Sequence, residues 1–124
     1  TRGRNDFHDI TEKVKNIVGS SSLSEGLCHV SVVHTTAGIT INENADPDVR
    51  QDMINALDSL VPWNNGYRHF EGNSAAHIKS SLMGFSVTIP IEQNCLVLGT
   101  WQDIYLCEFD GPRTRTVVVT LIGS

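Results

Sequence analysis

Residues 95–122 read CLVLGTWQDIYLCEFDGPRTRTVVVTLI. Two apolar runs, CLVLGTWQDIYLCEF and RTVVVTLI, flank Asp110, Gly111, Pro112 and Arg113. Apolar alternation on both sides of a Gly-Pro turn predicts a hairpin, and so an antiparallel pair of strands. RTVVVTLI is apolar on both faces at Val117, Val118 and Val119. That predicts a strand covered on both sides, inside a sandwich or at a subunit contact. Trp101 and Gln102 fall on opposite faces of the first strand. Trp101 either stacks on a ring or packs in the core, and large aromatics favour the core.

Upstream, FSVTIPI (85–91) alternates with period two and reads as a strand. LCHVSVVHTT (27–36) is β-branched, with Cys28, Val30, Val32 and His34 on one face. GITI (38–41) reads as the next strand. Three stretches have helical spacing. Ile10, Val14, Ile17 and Val18 lie in DITEKVKNIVGSS, with Asp9 or Thr11 as cap and Gly19 as stop. DPDVRQDMINALDSLVP starts with Asp46 at the N-cap and Pro47 at the first helical position. Its stripe is Val49, Met53, Ala56, Leu57 and Leu60, and Pro62 ends it. SAAHIKSSLMG is a shorter helix, capped by Asn73 or Ser74 and stopped by Gly84. Strands and helices do not alternate as βαβ units. The expectation is an α+β fold, a mostly antiparallel sheet packed as a sandwich with two or three helices.

The chain has 124 residues, 40% of them hydrophobic, which fits one globular domain over 1–124. Folding at this size buries roughly two-thirds of the unfolded surface, enough for one core. No apolar run approaches the ~20 residues that span a bilayer, and no secretory leader is visible. The absence of an initial methionine suggests a trimmed start. Net charge is −5, with nine basic residues and no basic run. A nucleic-acid partner needs clustered Lys and Arg and is not expected, nor is an anionic membrane. A small anion held by a few arginines is compatible. Cys28, Cys95 and Cys107 are widely spaced in apolar runs. They are expected buried and reduced, in a cytoplasmic protein.

Three polar clusters carry the candidate chemistry. The first is HTTAGITINENADPD (34–48), with His34 at a strand end and Asn42, Glu43, Asn44 and Asp46 before the long helix. Asp46 has a sufficient role as a cap, whereas Glu43, Asn44 and His34 beside two hydroxyls are harder to explain so simply. The second is HFEGNSAAH (69–77), where His69 lies in a loop and His77 on the first turn of a helix. This is not an H-E-x-x-H pair, yet Gly72 lets the loop fold back. Imidazole is a common metal ligand, and equally a structural or solvated side chain. The third holds Glu108, Asp110, Arg113 and Arg115. It is either a solvated turn with surface ion pairs or an arginine fork for phosphate or carboxylate. P-loop, dinucleotide and nucleophile-elbow signatures are absent.

HTTAGITINENADPDV, EGNSAAHIKSSLMG, LGTWQDIYLCEFDGPR and RTVVVTLIG, in this order, resemble the YjbQ-like family, from about residue 6 to the C-terminus. The resemblance implies an α+β sandwich, a homotrimer and a secondary, weak thiamine-phosphate synthase activity. That reaction joins a pyrimidine pyrophosphate to a thiazole phosphate and releases pyrophosphate. The family pattern carries over at His34, Asn42, Glu43, Asn44, Asp46, His69, Glu71, His77, Gln102 and Arg113. Near Asn94, many members carry glycine instead. On this basis His34, Glu43, Asn44, Asp46, Glu71 and Gln102 are candidate catalytic residues. His69 and His77 are candidate ligands of a divalent metal, zinc or magnesium. His34, Glu43, Asp46 or Glu71 would complete that shell. Thr35, Thr36, Lys79, Arg113 and Arg115 are candidates for holding phosphate. The competing reading is a non-catalytic trimer that binds a small anionic metabolite.

Overall fold

In the computed structural model, which describes residues 1–124, the elements follow one another along the chain. They are β1 (Asp6–Asp9), α1 (Thr11–Ser20), β2 (Gly26–Val32), β3 (Ala37–Glu43) and α2 (Pro47–Leu60). Then come α3 (Ser74–Met83), β4 (Ser86–Glu92), β5 (Cys95–Leu96), β6 (Gln102–Glu108) and β7 (Val117–Gly123). The strands form two antiparallel sheets, ordered β1-β6-β3 and β5-β4-β2-β7. The α+β sandwich is therefore present, with three helices.

The expected hairpin around Gly111 and Pro112 is not. β6 pairs with β1 and β3, whereas β7 pairs with β2 in the other sheet. The reason lies in the two faces of β6. Ile104 and Leu106 point into one hydrophobic cluster, and Tyr105 and Cys107 into another. A strand apolar on both faces needs cover on both, so β6 is the middle strand of the middle layer. β7 is an edge strand, with Val118 and Ile122 partly exposed. The double-sided burial expected of RTVVVTLI belongs to β6. Residues 109–116 carry the chain from one sheet to the other.

The first cluster fills the space between the sheets. Cys28, Val30 and Val32 of β2 and Ile89 and Ile91 of β4 face Ile39 of β3 and Ile104 and Leu106 of β6. Ile10, Val14 and Val18 bring α1 onto the same cluster. Ile17, expected on that stripe, is 44% exposed. The second cluster, behind the β1-β6-β3 sheet, joins Phe7, Tyr105, Cys107 and Phe109 to Ala76 of α3. Gly38 permits that contact. A Cβ there would lie 2.7 Å from the Gly84 carbonyl oxygen at the end of α3. α2 meets the cluster through Met53, Ile54 and Leu57 only. Ala56 and Leu60, expected on its apolar stripe, face solvent, and no α2 residue is fully buried. The helix lies on the surface along a narrow seam.

Two more expectations are corrected. Trp101 sits in the turn before β6 and is 63% exposed, because β5 stops at Leu96 and the strand does not run through it. Cys95, on the short edge strand β5, is exposed, while Cys28 and Cys107 are buried. All three are free, and burial raises the thiol pKa of both buried ones. No helix is long and apolar enough to cross a membrane.

Asp9 starts α1, accepting from the Thr11 amide at 2.9 Å and hydroxyl at 2.6 Å. Asn94 closes it. Its Nδ2 donates to the carbonyls of Val18, Ser21 and Leu23, at 3.0, 3.2 and 2.6 Å. Its φ of 63° is in the left-handed region, which asparagine and glycine tolerate best. Asn94→Ala should lose about 1–3 kcal/mol in urea unfolding, combining unpaired carbonyls with backbone strain. Asn94→Gly relieves the strain but not the lost bonds, so it should lose less. Equal losses would show that the amide alone matters.

Candidate functional site at the sheet-to-sheet corner

Two of the connections that pass between the sheets are residues 33–36, from β2 to β3, and residues 109–116, from β6 to β7. They run side by side and are tied at three points. The Phe109 amide donates to the Thr36 carbonyl at 3.2 Å. The Thr116 amide donates to His34 Nε2 at 2.8 Å. Arg115 Nη2 donates to the Thr36 carbonyl at 3.1 Å and to its hydroxyl at 2.8 Å. Arg115 in turn is paired with Glu108 through both carboxylate oxygens. The side chains of Arg115 and Glu108 are 5% and 0% exposed.

The loop before α3 forms the third wall. Asn73 Nδ2 donates to Asp110 Oδ2 at 2.8 Å, which fixes the start of α3 against the second connection. Together these segments enclose an open pocket of about 460 Å³. His34, Thr35 and Thr36 line it from the first connection, and Asp110, Arg113 and Arg115 from the second. His69, Glu71, Asn73 and His77 line it from the loop and α3. Three of the five histidines thus meet in one place. The rings of His69 and His77 are edge-to-face, with centroids 5.6 Å apart. His69 Nε2 lies 3.8 Å from Glu71 Oε2.

Hydrogen bonding limits what each group offers. An amide N–H only donates, so His34 Nε2 is unprotonated and Nδ1 carries the hydrogen. His34 is a neutral donor here, with its other nitrogen already used. Arg113 donates Nε to the Asp110 carbonyl at 2.7 Å and Nη2 to Asp110 Oδ2 at 3.0 Å. Arg115 keeps Nη1 free of protein partners. Burial alone would raise the Glu108 pKa. Hydrogen bonds from Arg115, the Asp110 amide and the Thr1 hydroxyl outweigh it and hold the carboxyl below its ordinary value.

Five expected site residues lie elsewhere. Glu43 and Gln102 are register partners at one end of β3 and β6, and the pocket is at the other, next to the Ala37–Glu108 pair. Six residues of strand separate the ends by roughly 20 Å. Gln102 Oε1 accepts from the Gly99 amide at 2.7 Å. Asn44 bridges Asp9 and Arg50, at 2.9 and 2.5 Å. Asp46 caps α2, accepting from the Asp48 amide at 2.9 Å. Lys79 is 1% exposed and paired with Asp58 on α2. These contacts give Asn44, Asp46, Gln102 and Lys79 structural work. Asn42, noted beside them, is exposed near the same far end. Sequence reading missed the pocket role of Asn73 and Asp110 and the organising role of Glu108.

No group of three His, Cys, Asp or Glu side chains is placed to hold a metal ion. The residue types on one wall are nonetheless ones that a transition metal would take. Two imidazoles and a carboxylate share one wall, and mixed nitrogen and oxygen donors favour zinc over magnesium. The 3.8 Å between His69 Nε2 and Glu71 Oε2 is near the ~3.3 Å between tetrahedral ligands at zinc bond lengths. Of the groups expected to complete such a shell, only Glu71 is available. Glu43 and Asp46 are distant, and His34 Nε2 is taken.

A two-sheet α+β sandwich with a histidine- and arginine-lined pocket at its crossover corner defines the class of protein. Its family is shown by comparison: residues 1–124 match the UPF0047 protein YjbQ-like family, and the chain belongs to it. UPF0047 protein YugU of Bacillus subtilis is 49% identical over 99% of this chain and 94% of its own length. UPF0047 protein MJ1081 of Methanocaldococcus jannaschii is 51% identical over 100% and 90%. An uncharacterised family member from Clostridium acetobutylicum is 56% identical, over 98% of this chain and 95% of its own, and superposes with a TM-score of 0.97. A protein of unknown function from Sulfolobus solfataricus, 31% identical over 100% and 91%, gives 0.96.

Glu108→Leu should cost about 3–5 kcal/mol, because it strands a buried guanidinium. The lowered Glu108 pKa adds stability that is full above the ordinary carboxylate value. That stability drains as pH falls through the folded value. Unfolding free energies measured from pH 7 down to 3 should therefore decline more steeply for wild type than for Glu108→Gln.

Proposed function

We propose that the corner pocket binds a small phosphorylated molecule and that the protein is a metal-assisted transferase with weak thiamine-phosphate synthase activity. The observation that carries this reading is the meeting of three histidines, Glu71 and two arginines in one open pocket. Displacing pyrophosphate from a pyrimidine pyrophosphate builds negative charge on the leaving group. Arg115 Nη1, His34 Nδ1–H and the Thr35 hydroxyl are donors at the pocket for those oxygens. Arg113 supplies a further guanidinium at the rim. His69 and His77, with Glu71, would hold a divalent metal, preferably zinc. Such an ion supplies charge stabilisation to the departing pyrophosphate. The thiazole nitrogen is the nucleophile that bonds to the pyrimidine's methylene carbon as the carbon–oxygen bond to pyrophosphate breaks. The proposed setting is the cytoplasm, where the free thiols stay reduced.

The reading includes a homotrimer. Val33, Phe70, Ile78, Leu82 and Phe85 are exposed around the pocket and along α3. Apolar side chains grouped in this way favour a subunit contact. Glu43 and Gln102 can meet the pocket only from another copy.

The second reading, binding without turnover, draws on one fact. Arg113 and Arg115 each already have a carboxylate partner, which weakens their pull on an anion. Turnover separates the two. With pyrimidine pyrophosphate and thiazole phosphate present, the enzyme reading expects thiamine phosphate and pyrophosphate in equal amounts. Binding with no product would favour the second reading.

Protein purified without chelator should hold close to one metal per chain by elemental analysis. His69→Ala and His77→Ala should each lower that at least tenfold, because a two-imidazole site fails when either is lost. Equal, negligible metal in all three would end the metal assignment. Sedimentation at low micromolar concentration should give three chains per particle, and a monomer would count against the trimer.

A further inference from the structure

Residues 63–67, WNNGY, follow the end of α2 and lead into the loop before α3. Both ends of this stretch are anchored. The Arg4 guanidinium lies over the Trp63 ring, 4.2 Å from its centroid. The Tyr67 hydroxyl donates to the Pro62 carbonyl at 2.8 Å and closes the stretch into a turn. Between the anchors the tip, Asn64, Asn65 and Gly66, is exposed, and no main-chain hydrogen bond holds it. Gly66 has a φ of 68°, in the left-handed region that glycine adopts without strain. Asn-Gly is a residue pair that suits such a turn. It is also a reactive pair. An asparagine amide is thermolabile, and the main-chain nitrogen that follows can attack it. A side chain on the following residue crowds that nitrogen, and glycine has none.

The chain has nine asparagines, and Asn65 alone precedes glycine. Several of the others are also tied down. Asn44 is held by Asp9 and Arg50, Asn73 by Asp110, and Asn94 by three carbonyls. The Asn65 side chain has no such partner. We propose that Asn65–Gly66 is a self-modification site, which deamidates in the folded protein. The Gly66 nitrogen gives up its proton to solvent and bonds to Asn65 Cγ. The bond from Cγ to Nδ2 breaks, and Nδ2 takes a proton and leaves as ammonia. Water then opens the resulting succinimide ring at either carbonyl, leaving aspartate or isoaspartate. Both products carry a carboxylate where the amide stood. Asn65 shares the wall of a small cavity, about 150 Å³, with Trp63, Tyr67 and His69. The new charge therefore arises on the stretch that leads into the histidine pair. Isoaspartate also adds an atom to the main chain between the two anchors.

The intact protein, incubated at pH 7 and at pH 9, tests this through the masses of its peptides and enzymatic methylation of isoaspartate. The mass rise of amide-to-acid exchange should appear on the Asn65 peptide before that of any other asparagine. It should be faster at pH 9, because the attacking nitrogen must first lose its proton. Aspartate and isoaspartate should both form, which marks the ring intermediate. The native rate should lie close to that of the chain unfolded in guanidinium chloride. A native rate about tenfold or more below the unfolded one overturns the proposal, because the loop would then have to open first. So does aspartate alone, which marks direct hydrolysis, or a mass rise that starts at another asparagine. Asn65→Gln should abolish the rise on this peptide. A rise that persists there belongs to Asn64 and overturns the assignment.

Discussion

The Glu108–Arg115 pair is the interaction on which the corner depends. Glu108 is the last residue of β6, and Arg115 lies on the connection to β7. Their pairing bends that connection back onto itself, and Arg115 also grips Thr36 on the other connection. Glu108 Oε2 accepts from the amides of Phe109 and Asp110, at 3.2 and 3.0 Å. Those bonds aim Asp110 at Asn73 and Arg113. One buried carboxylate thus ties these two crossovers together and, through Asp110, the start of α3. Burying two charges is costly unless their remaining hydrogen-bonding capacity is filled. Here the carboxylate is filled by backbone, hydroxyl and guanidinium donors. What the pair contributes is less net stability than one fixed arrangement, because any other path for residues 109–116 leaves a charge buried alone.

How the fold was legible follows from β6. The residue pattern of QDIYLCEF identified a strand, and the scarcity of βαβ alternation identified an antiparallel α+β protein. Pairing was another matter. A run with two apolar faces and a turn beside it fits a hairpin edge as well as a central strand, because period two says nothing about which partner lies alongside. Only the second hydrophobic cluster, with Phe7, Ala76 and Phe109 behind Tyr105 and Cys107, decides that β6 is covered twice. Those partners come from the two ends and the middle of the chain. The long amphipathic helix misled for the same reason. Its stripe was real, but the cluster beneath offers room for only Met53, Ile54 and Leu57.

The site was legible wherever chemistry and connection coincide. His34, Thr35 and Thr36 lie on one crossover, Arg113 and Arg115 on the other, and His69, Glu71 and His77 around the start of α3. Each stood out as a polar residue beside a predicted strand or helix end. Glu43 and Asn44 stood out in the same way, yet with Asp46 they cluster at the opposite end of β3, about 20 Å away on strand geometry. A sequence motif that spans a whole strand has two ends, and nothing in the one-dimensional pattern says that only one of them reaches the pocket. Asn73 was misread for a different reason. Asparagine before a helix is so common as a cap that its commitment to Asp110 is visible only in three dimensions.

The charge balance of the pocket bears on the metal. Arg113 and Arg115 bring two positive charges, and Asp110 and Glu108 cancel them. Glu71 adds a negative charge on the wall, and the chain as a whole carries −5. His34 Nε2 is already occupied, accepting from the Thr116 amide. On the proposed reading, a pyrophosphate group with several negative charges would meet directional donors but almost no net positive charge from the protein. Directional donors select and orient an anion, whereas net charge draws it in. On the proposed reading, a cation held between His69 and His77 would supply the missing attraction. Glu71, at 3.8 Å from His69 Nε2, stands beyond a hydrogen bond and near the spacing that two ligands of one ion need.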